Sequence, residues 1–256
     1  MKKDLERFYT LIAALAESPG QGMLLSECSG LVRWPQRGVY FFMEPGEYRT
    51  REPQQQRIIR VGTHAVSTGS KTTLWQRLRA HRGSKDGRGN HRASIFHRHA
   101  GAAMIARDAV CDARLSQWGH GGSASRDIRA MEAEHEKSVS AYLGSMRVLW
   151  IEVADEPGVV SDRAFIERNA IALLSRQCNP VDPPGKEWLG KFSPAVEIRS
   201  SGLWNGNHVC DRYAAALIER FAAFVDRTIT RTREDCGSAS TIIQVGGGLR
   251  ASIGNS

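Results

Sequence analysis

The chain has 256 residues, 41% hydrophobic and 24% charged, which excludes collagen-like, coiled-coil and wholly disordered architectures. Its 35 Lys and Arg against 27 Asp and Glu give a formal charge of +8, and the excess is local. From Lys71 to Arg107 nine basic residues face one acid, Asp86, so this window carries the whole +8 and the rest of the chain sums to zero. Such a cluster suggests a polyanion partner, because phosphate binding gains from counterion release; the plain alternative is a solvated basic face. Cys28, Cys111, Cys178, Cys210 and Cys236 are scattered without CxxC spacing. That argues against a disulfide framework or a structural zinc site and for a cytoplasmic home. The N-terminus does not read as a signal peptide, and no apolar run approaches the ~18 residues of a membrane span, so a soluble protein with no membrane partner is expected.

In chain order, Leu5, Phe8, Tyr9, Ile12 and Leu15 form one stripe of a helix over residues 2–17. Two apolar runs, 38–43 and 57–62, joined by a turn-rich stretch, predict a hairpin with a long loop. Thr73 is placed to cap a helix running to about Arg82, with Leu74 and Leu78 inward. A mobile Gly- and charge-rich loop over 83–90 follows, then helices over 93–109 and 125–144, the second with Ile128, Met131, Val139 and Tyr142 as its stripe. A third strand spans 147–153, and Ser161 opens a helix to about Arg176 with Ile166, Ala170, Leu173 and Leu174 facing the core. Residues 181–209 read as irregular, with Trp188 and Trp204, like Trp150, in the core. A last helix spans roughly 211–231, and beyond it the composition suggests a weakly ordered tail. The fold class is α+β: a small three-stranded antiparallel sheet flanked by helices, in one domain over 1–235, with a flexible Gly/Ser-rich tail over 236–256.

Residue types suited to phosphodiester chemistry recur along this frame. Tyr40 lies on the first strand, Arg77 and His81 share one face of a helix, and Glu167 sits one position from a buried stripe. A carboxylate can hold Mg²⁺, a cation can stabilise charge on phosphate, and a phenol or imidazole can help move a proton. Each residue also has a structural reading, as strand packing, a solvated helix face or an ion pair. His91, His97 and His99 fit no closed tetrahedral zinc set.

The order Gly38-Val39-Tyr40, Arg60-Val61-Gly62-Thr63, Leu74-x-x-Arg77-x-x-x-His81 and Glu167 resembles the GIY-YIG nuclease superfamily. The chain looks most like a bacterial branch that shares GNHR-x-SIF and SGLWN-x-x-HV segments, here 89–96 and 201–209. The resemblance covers about residues 36–210. It implies a metal-dependent endonuclease acting on DNA, double-stranded before RNA, with Mg²⁺ or Mn²⁺ as cofactor and a homodimer among the possible states. Tyr40 would be the general base or water-orienting group, and Arg77 the contact to the scissile phosphate. His81 would be an auxiliary near the site, Glu167 the metal ligand, and Gly62 the glycine of close backbone approach. Two positions depart from the pattern. Arg60 replaces the second-motif tyrosine, either as a new phosphate contact or in a site that works with one tyrosine. The late asparagine is Asn179 by spacing or Asn205 by segment, with Asn179 preferred. The insertion over 83–145 is expected to grip substrate. Thr63, His64, Arg79, Arg82, Lys85, Arg88, Asn90, His91, Arg92 and Asn205 are the expected substrate contacts, although Asn90-His91-Arg92 reads equally as a loop capping the next helix. The alternative function is a non-catalytic nucleic-acid-binding module that keeps the fold.

Overall fold

A computed structural model describes residues 2–84, 86–110, 112, 115–176 and 178–246, with side chains to 234. Strands β2 (Gly38–Tyr48) and β3 (Gln56–Gly62) form the expected hairpin, and β4 (Arg147–Glu152) pairs antiparallel with the other edge of β2. A two-residue strand, β1 (Met23–Leu24), adds a fourth member, giving the order β1-β4-β2-β3.

The strand signal at β1 is too short to read, but its neighbour explains it. The Gln21 amide donates to the Trp150 carbonyl at 2.9 Å and accepts from the Trp150 N–H at 2.9 Å. Asn205 does the same at the opposite edge, accepting from the Val61 N–H at 3.1 Å and donating to the Val61 carbonyl at 2.8 Å. Side-chain amides thus cover ladder groups at both edges of the sheet, which would otherwise be open to another strand.

Both faces of the sheet are buried. Val39, Phe41, Leu149 and Ile151 face α1 (Lys2–Ala16), α5 (Asp162–Ser175) and α7 (Leu217–Gly246). Phe8 of α1 stacks on Phe221 of α7 with centroids 4.8 Å apart. On the other face Tyr40, Phe42, Val148 and Trp150 pack with α2 (Leu74–Arg82), α3 (Ile95–Arg107), α4 (Arg126–Gly144), Trp188 and Trp204. A short 3₁₀ turn (Leu189–Phe192) and α6 (Val196–Ser201) lie within the stretch read as irregular. The α2 cap is a full capping box between Thr73 and Gln76.

Three sequence expectations change. The 83–145 insertion supplies Phe96, Ala100, Val139 and Leu143 to the second core, so it is a packed layer of the domain and not an appendage. The buried face of α4 is turned from the expected stripe: Met131 is exposed, while Glu132, Glu136, Val139 and Leu143 are buried. The reason is pairing, since Glu132 meets the Arg92 guanidinium and Glu136 the His91 and His97 rings of the insertion. The last helix starts at Leu217, later than expected, and runs to Gly246, past the start assigned to the tail. Residues 247–256 of that tail lie outside the described residues, as do Lys85 and Cys111. Among the described residues no helix is long and apolar enough to cross a membrane.

Candidate active site

The register of the hairpin decides where Arg60 points. Tyr40 pairs with Gly62, Phe41 with Val61 and Phe42 with Arg60, and the register then shifts so that Met43 meets Ile58. Cross-strand partners share a face, so Arg60 lies on the face of Phe42 and Tyr40. Its guanidinium sits 4.8 Å over the Phe96 ring, and Nη1 donates to the Trp204 carbonyl. Nε is buried without a hydrogen-bond partner. Burial pulls the Arg60 pKa below the ordinary arginine value; Tyr40 and Glu167 oppose that pull, and Arg77 adds to it.

Tyr40 is fully buried, and its ring lies across Gly62: a Cβ there would meet Tyr40 Cζ and Oη at 2.3 Å. The hydroxyl is 2.8 Å from His81 Nε2. His81 sits one turn after Arg77 on α2, and its Nδ1 is 2.9 Å from Ser94 Oγ, the N-cap of α3. Burial, with Arg77 and Arg60 nearby, holds the His81 pKa well below that of a free imidazole, so the ring is neutral. Arg77 is half-buried and faces Tyr40 and Glu167, which keep it more firmly cationic against burial; its Nε too lacks a hydrogen-bond partner.

Glu167 is delivered by α5. Arg163, one turn earlier, binds the Asp155 carboxylate and the His64 and Ala65 carbonyls, pinning the helix to the loop after β3. Glu167 Oε1 then accepts the Thr63 N–H at 3.1 Å, and Oε2 has no hydrogen bond among the described residues. Burial raises the carboxyl pKa, while Arg60, the Thr63 N–H, His208 and Arg77 pull it back.

A hard oxygen held by one backbone N–H, with its second oxygen unbonded, suits a cation that takes one protein carboxylate and completes its shell with water and phosphate. Among the described residues no three His, Cys, Asp or Glu gather into a fuller metal cage.

The remaining expected contacts divide. Arg79 and Arg88 are exposed and Arg82 half-buried, with Arg88 ion-paired to Asp86. Thr63 and His64 are committed internally: the Thr63 hydroxyl donates to the Gly38 carbonyl at 2.9 Å, and His64 bridges the Gly38 N–H and the Thr72 carbonyl. Burial brings the His64 pKa to about 4.

The GNHR segment is a structural knot rather than a phosphate clamp. Asn90 Oδ1 accepts the Arg92 N–H, and its carbonyl accepts from Ala93 and Ser94. His91 is fully buried, stacked at 4.0 Å on Trp118 and bonded through Nδ1 to Glu136 at 2.8 Å. Arg92 forms a buried two-point pair with Glu132. Gly89 leaves room for this, since a Cβ there would lie 2.1 Å from His97 and 2.6 Å from Glu136.

Asn205 is beside the site, and its amide pairs with both backbone groups of Val61. Asn179 is exposed past the end of α5, and no described contact joins it to Glu167, Tyr40 or the arginines. Its selection by spacing is therefore not supported by proximity.

Two histidines were missed. His208, in the left-handed conformation (φ 64°), acts on Glu167, and His99, with a pKa lowered to about 4 chiefly by burial, faces Arg60. The SGLWN-x-x-HV segment contains His208, but sequence alone gives no sign of which of its residues turns inward.

The site is thus a tyrosine crossing a glycine on a hairpin, two arginines, and one carboxylate from the helix after the third strand. A family model described as GIY-YIG domain matches residues 1–231, and the chain belongs to the GIY-YIG nuclease superfamily. The match takes in α1 and the first half of α7, beyond the 36–210 span that carried the resemblance. Neither curated proteins nor solved structures gave a significant match. Nucleases of this superfamily act on nucleic acids and generally use divalent metals.

Proposed function

We propose that the protein is a metal-dependent endonuclease hydrolysing phosphodiester bonds of double-stranded DNA, one strand per site. The observation supporting this is the charge balance around Tyr40. Two guanidinia, Arg60 and Arg77, each with an unpartnered buried Nε, share one nearby carboxylate, Glu167. That surplus suits a phosphodiester, whose negative charge would satisfy the N–H groups left without partners. Glu167 would hold Mg²⁺ or Mn²⁺, which when bound polarises the phosphate and offsets its charge.

The chain's own residues do the rest. Arg77, facing the Tyr40 oxygen from α2, is drawn onto a non-bridging phosphate oxygen, and this opens the buried Tyr40 hydroxyl to a water molecule. Tyr40 orients that water for in-line attack, with its proton passing toward the tyrosine side. Arg60, anchored by Trp204 and Phe96, stays in place and stabilises the charge developing on phosphorus oxygens. His81, neutral and enclosed, is the hydrogen-bond partner of Tyr40. Duplex cleavage then takes a dimer or two successive nicks.

Nicking of supercoiled plasmid by wild type and Glu167→Ala, in Mg²⁺, Mn²⁺ or EDTA, tests the reading. Metal-dependent nicking lost in the variant, with DNA affinity within a few-fold, is expected. Nicking that persists in Glu167→Ala removes Glu167 as metal ligand. DNA binding in EDTA with no product in any metal favours the non-catalytic module, the reading that the Arg60 replacement supports.

A further inference from the structure

We infer that His208 is a second protein ligand for the divalent cation at Glu167, binding it through Nε2 while Asp211 orients the ring. This rests on the metal-dependent reading of Glu167. The placement comes from the segment that carries the histidine. Asn205 pairs with both backbone groups of Val61, and Thr63, two residues beyond Val61, donates its N–H to Glu167 Oε1. After His208, the Val209 carbonyl accepts the Ser175 hydroxyl at 2.7 Å, and the Ala214 N–H donates to Asn169 Oδ1 at 2.6 Å, both partners lying on α5. The segment is thus tied to the strand end and to the helix that together hold Glu167. Three residues extend at most ~11 Å, so His208 stays in the corner where β3 ends against α5. Its electrostatic pull on the Glu167 carboxyl agrees with that placement.

The ring is set by its partner. His208 Nδ1 lies 2.8 Å from Asp211 Oδ2. A carboxylate offers only lone pairs, so the hydrogen in this contact belongs to Nδ1. In the neutral ring Nε2 is then the bare nitrogen, and no described hydrogen bond occupies it. A carboxylate on the far N–H is the usual companion of a metal-binding histidine, because it fixes the tautomer and makes the ligand more basic. Glu167 Oε2 is likewise without a hydrogen bond among the described residues. The His208 side chain is 39% exposed, which leaves it open to a cation arriving with its water. Its backbone, at φ 64°, is in a region that a non-glycine residue holds only where the surrounding structure imposes it. One carboxylate and one imidazole leave most of the coordination shell to phosphate and water, consistent with the lack of a three-residue cage among the described residues.

The test uses the full chain with Mn²⁺, alone and with duplex DNA, read by electron spin-echo modulation, which detects nitrogen bound directly to the metal. Wild type should show a histidine nitrogen, identified by its change when histidine alone is ¹⁵N-labelled. His208→Asn supplies a residue that tolerates the left-handed backbone, and it should bind Mn²⁺ without the nitrogen signal. It should also lose more affinity for Co²⁺ than for Mg²⁺, because imidazole favours the transition metal. Asp211→Ala frees the ring and should weaken Mn²⁺ binding roughly 10- to 100-fold. Mn²⁺ held by wild type with no histidine nitrogen overturns the inference, makes the His208–Asp211 contact a surface ion pair and leaves the reading of Glu167 standing. A nitrogen signal that survives in folded His208→Asn overturns it as well. If His208→Asn does not fold, unchanged Mn²⁺ affinity in Asp211→Ala overturns the inference in its place. Equal Mn²⁺ binding by wild type and Glu167→Ala would instead overturn the reading of Glu167, and this inference with it.

Discussion

Gly62→Ala is the sharpest probe of the geometry at Tyr40. The added methyl would lie 2.3 Å from Tyr40 Cζ and Oη and 2.6 Å from Cε2, whereas ordinary contact begins at 3.4 Å. The ring must therefore retreat by 1.1 Å (3.4 − 2.3) inside a fully buried site where its hydroxyl is already 2.8 Å from His81. Overpacking of this kind costs about 1–3 kcal/mol. At roughly 2–4 °C per kcal/mol for a domain of this size, Tm should fall by about 2–12 °C. The catalytic effect should be larger, since a ~1 Å misplacement of a reacting group costs on the order of 100-fold in rate. Thermal unfolding and metal-dependent plasmid nicking measure the two separately. In a Tyr40→Phe background the hydroxyl is already gone, so adding Gly62→Ala should lower Tm again, because Cζ remains, without lowering the rate further. A folded Gly62→Ala enzyme that nicks at the wild-type rate would refute both the placement of Tyr40 and its role.

Arg92→Ala leaves Glu132 buried and unpaired, so it should destabilise the fold by about 3–5 kcal/mol in urea titrations while the salt dependence of DNA binding stays unchanged. Arg79→Ala, on the exposed face of α2, should show the reverse: unchanged stability and a log–log salt slope shallower by about 1, and an unchanged slope removes it from the DNA path. His64 and His81 have folded pKa values below that of free imidazole, so between pH ~6.5 and about 4 the unfolded chain binds more protons than the fold. Stability should therefore fall as pH falls through that window, by up to ~1.4 kcal/mol per pH unit for each ring, and urea midpoints independent of pH there would contradict their burial as neutral rings. Cys178 and Cys210 bring their sulfurs to 3.4 Å, so glutathione disulfide should join them with loss of two hydrogens and leave buried Cys28 free; peptide masses showing only glutathione adducts would refute the contact.

The hairpin, the third strand and most helices were legible because their apolar stripes lie over the elements found, as with Leu5, Phe8, Tyr9, Ile12 and Leu15, all buried on α1. The grouping of Tyr40, Arg77 and Glu167 as neighbours was legible from their order in the chain. What failed to read was pairing across long separations. Met131 on α4 looked inward because it is apolar, yet Glu132 takes the buried position, its cost offset by Arg92 forty residues earlier. A bulge just beyond the Phe42–Arg60 pair puts Ile59 on the same face as Arg60, and such a shift in alternation leaves no compositional mark. Asn205 was singled out by its segment, and nothing in that segment shows that its amide replaces a missing strand at Val61.

These misreadings share a cause, and it bears on how the site is built. The basic cluster was taken as a surface because its charges have no nearby acids in sequence. In the fold several of those groups turn inward and are met by two carboxylates of α4. Burial opposes the charge on Glu136, but hydrogen bonds from His91, His97 and the His91 N–H outweigh it and hold its pKa near 2. That carboxylate is thus charged at neutral pH and fixes His97, which fixes the His81 carbonyl, while Ser94 on the same helix holds the His81 ring. A sheet of this size could not enclose His81 with the hairpin and α2 alone; Phe96 and the α3–α4 pair close the space around it. Deleting the insertion would therefore not leave a smaller nuclease with weaker DNA affinity. It would expose Tyr40 and Phe42, free the His81 ring and abolish the arrangement on which Tyr40 depends.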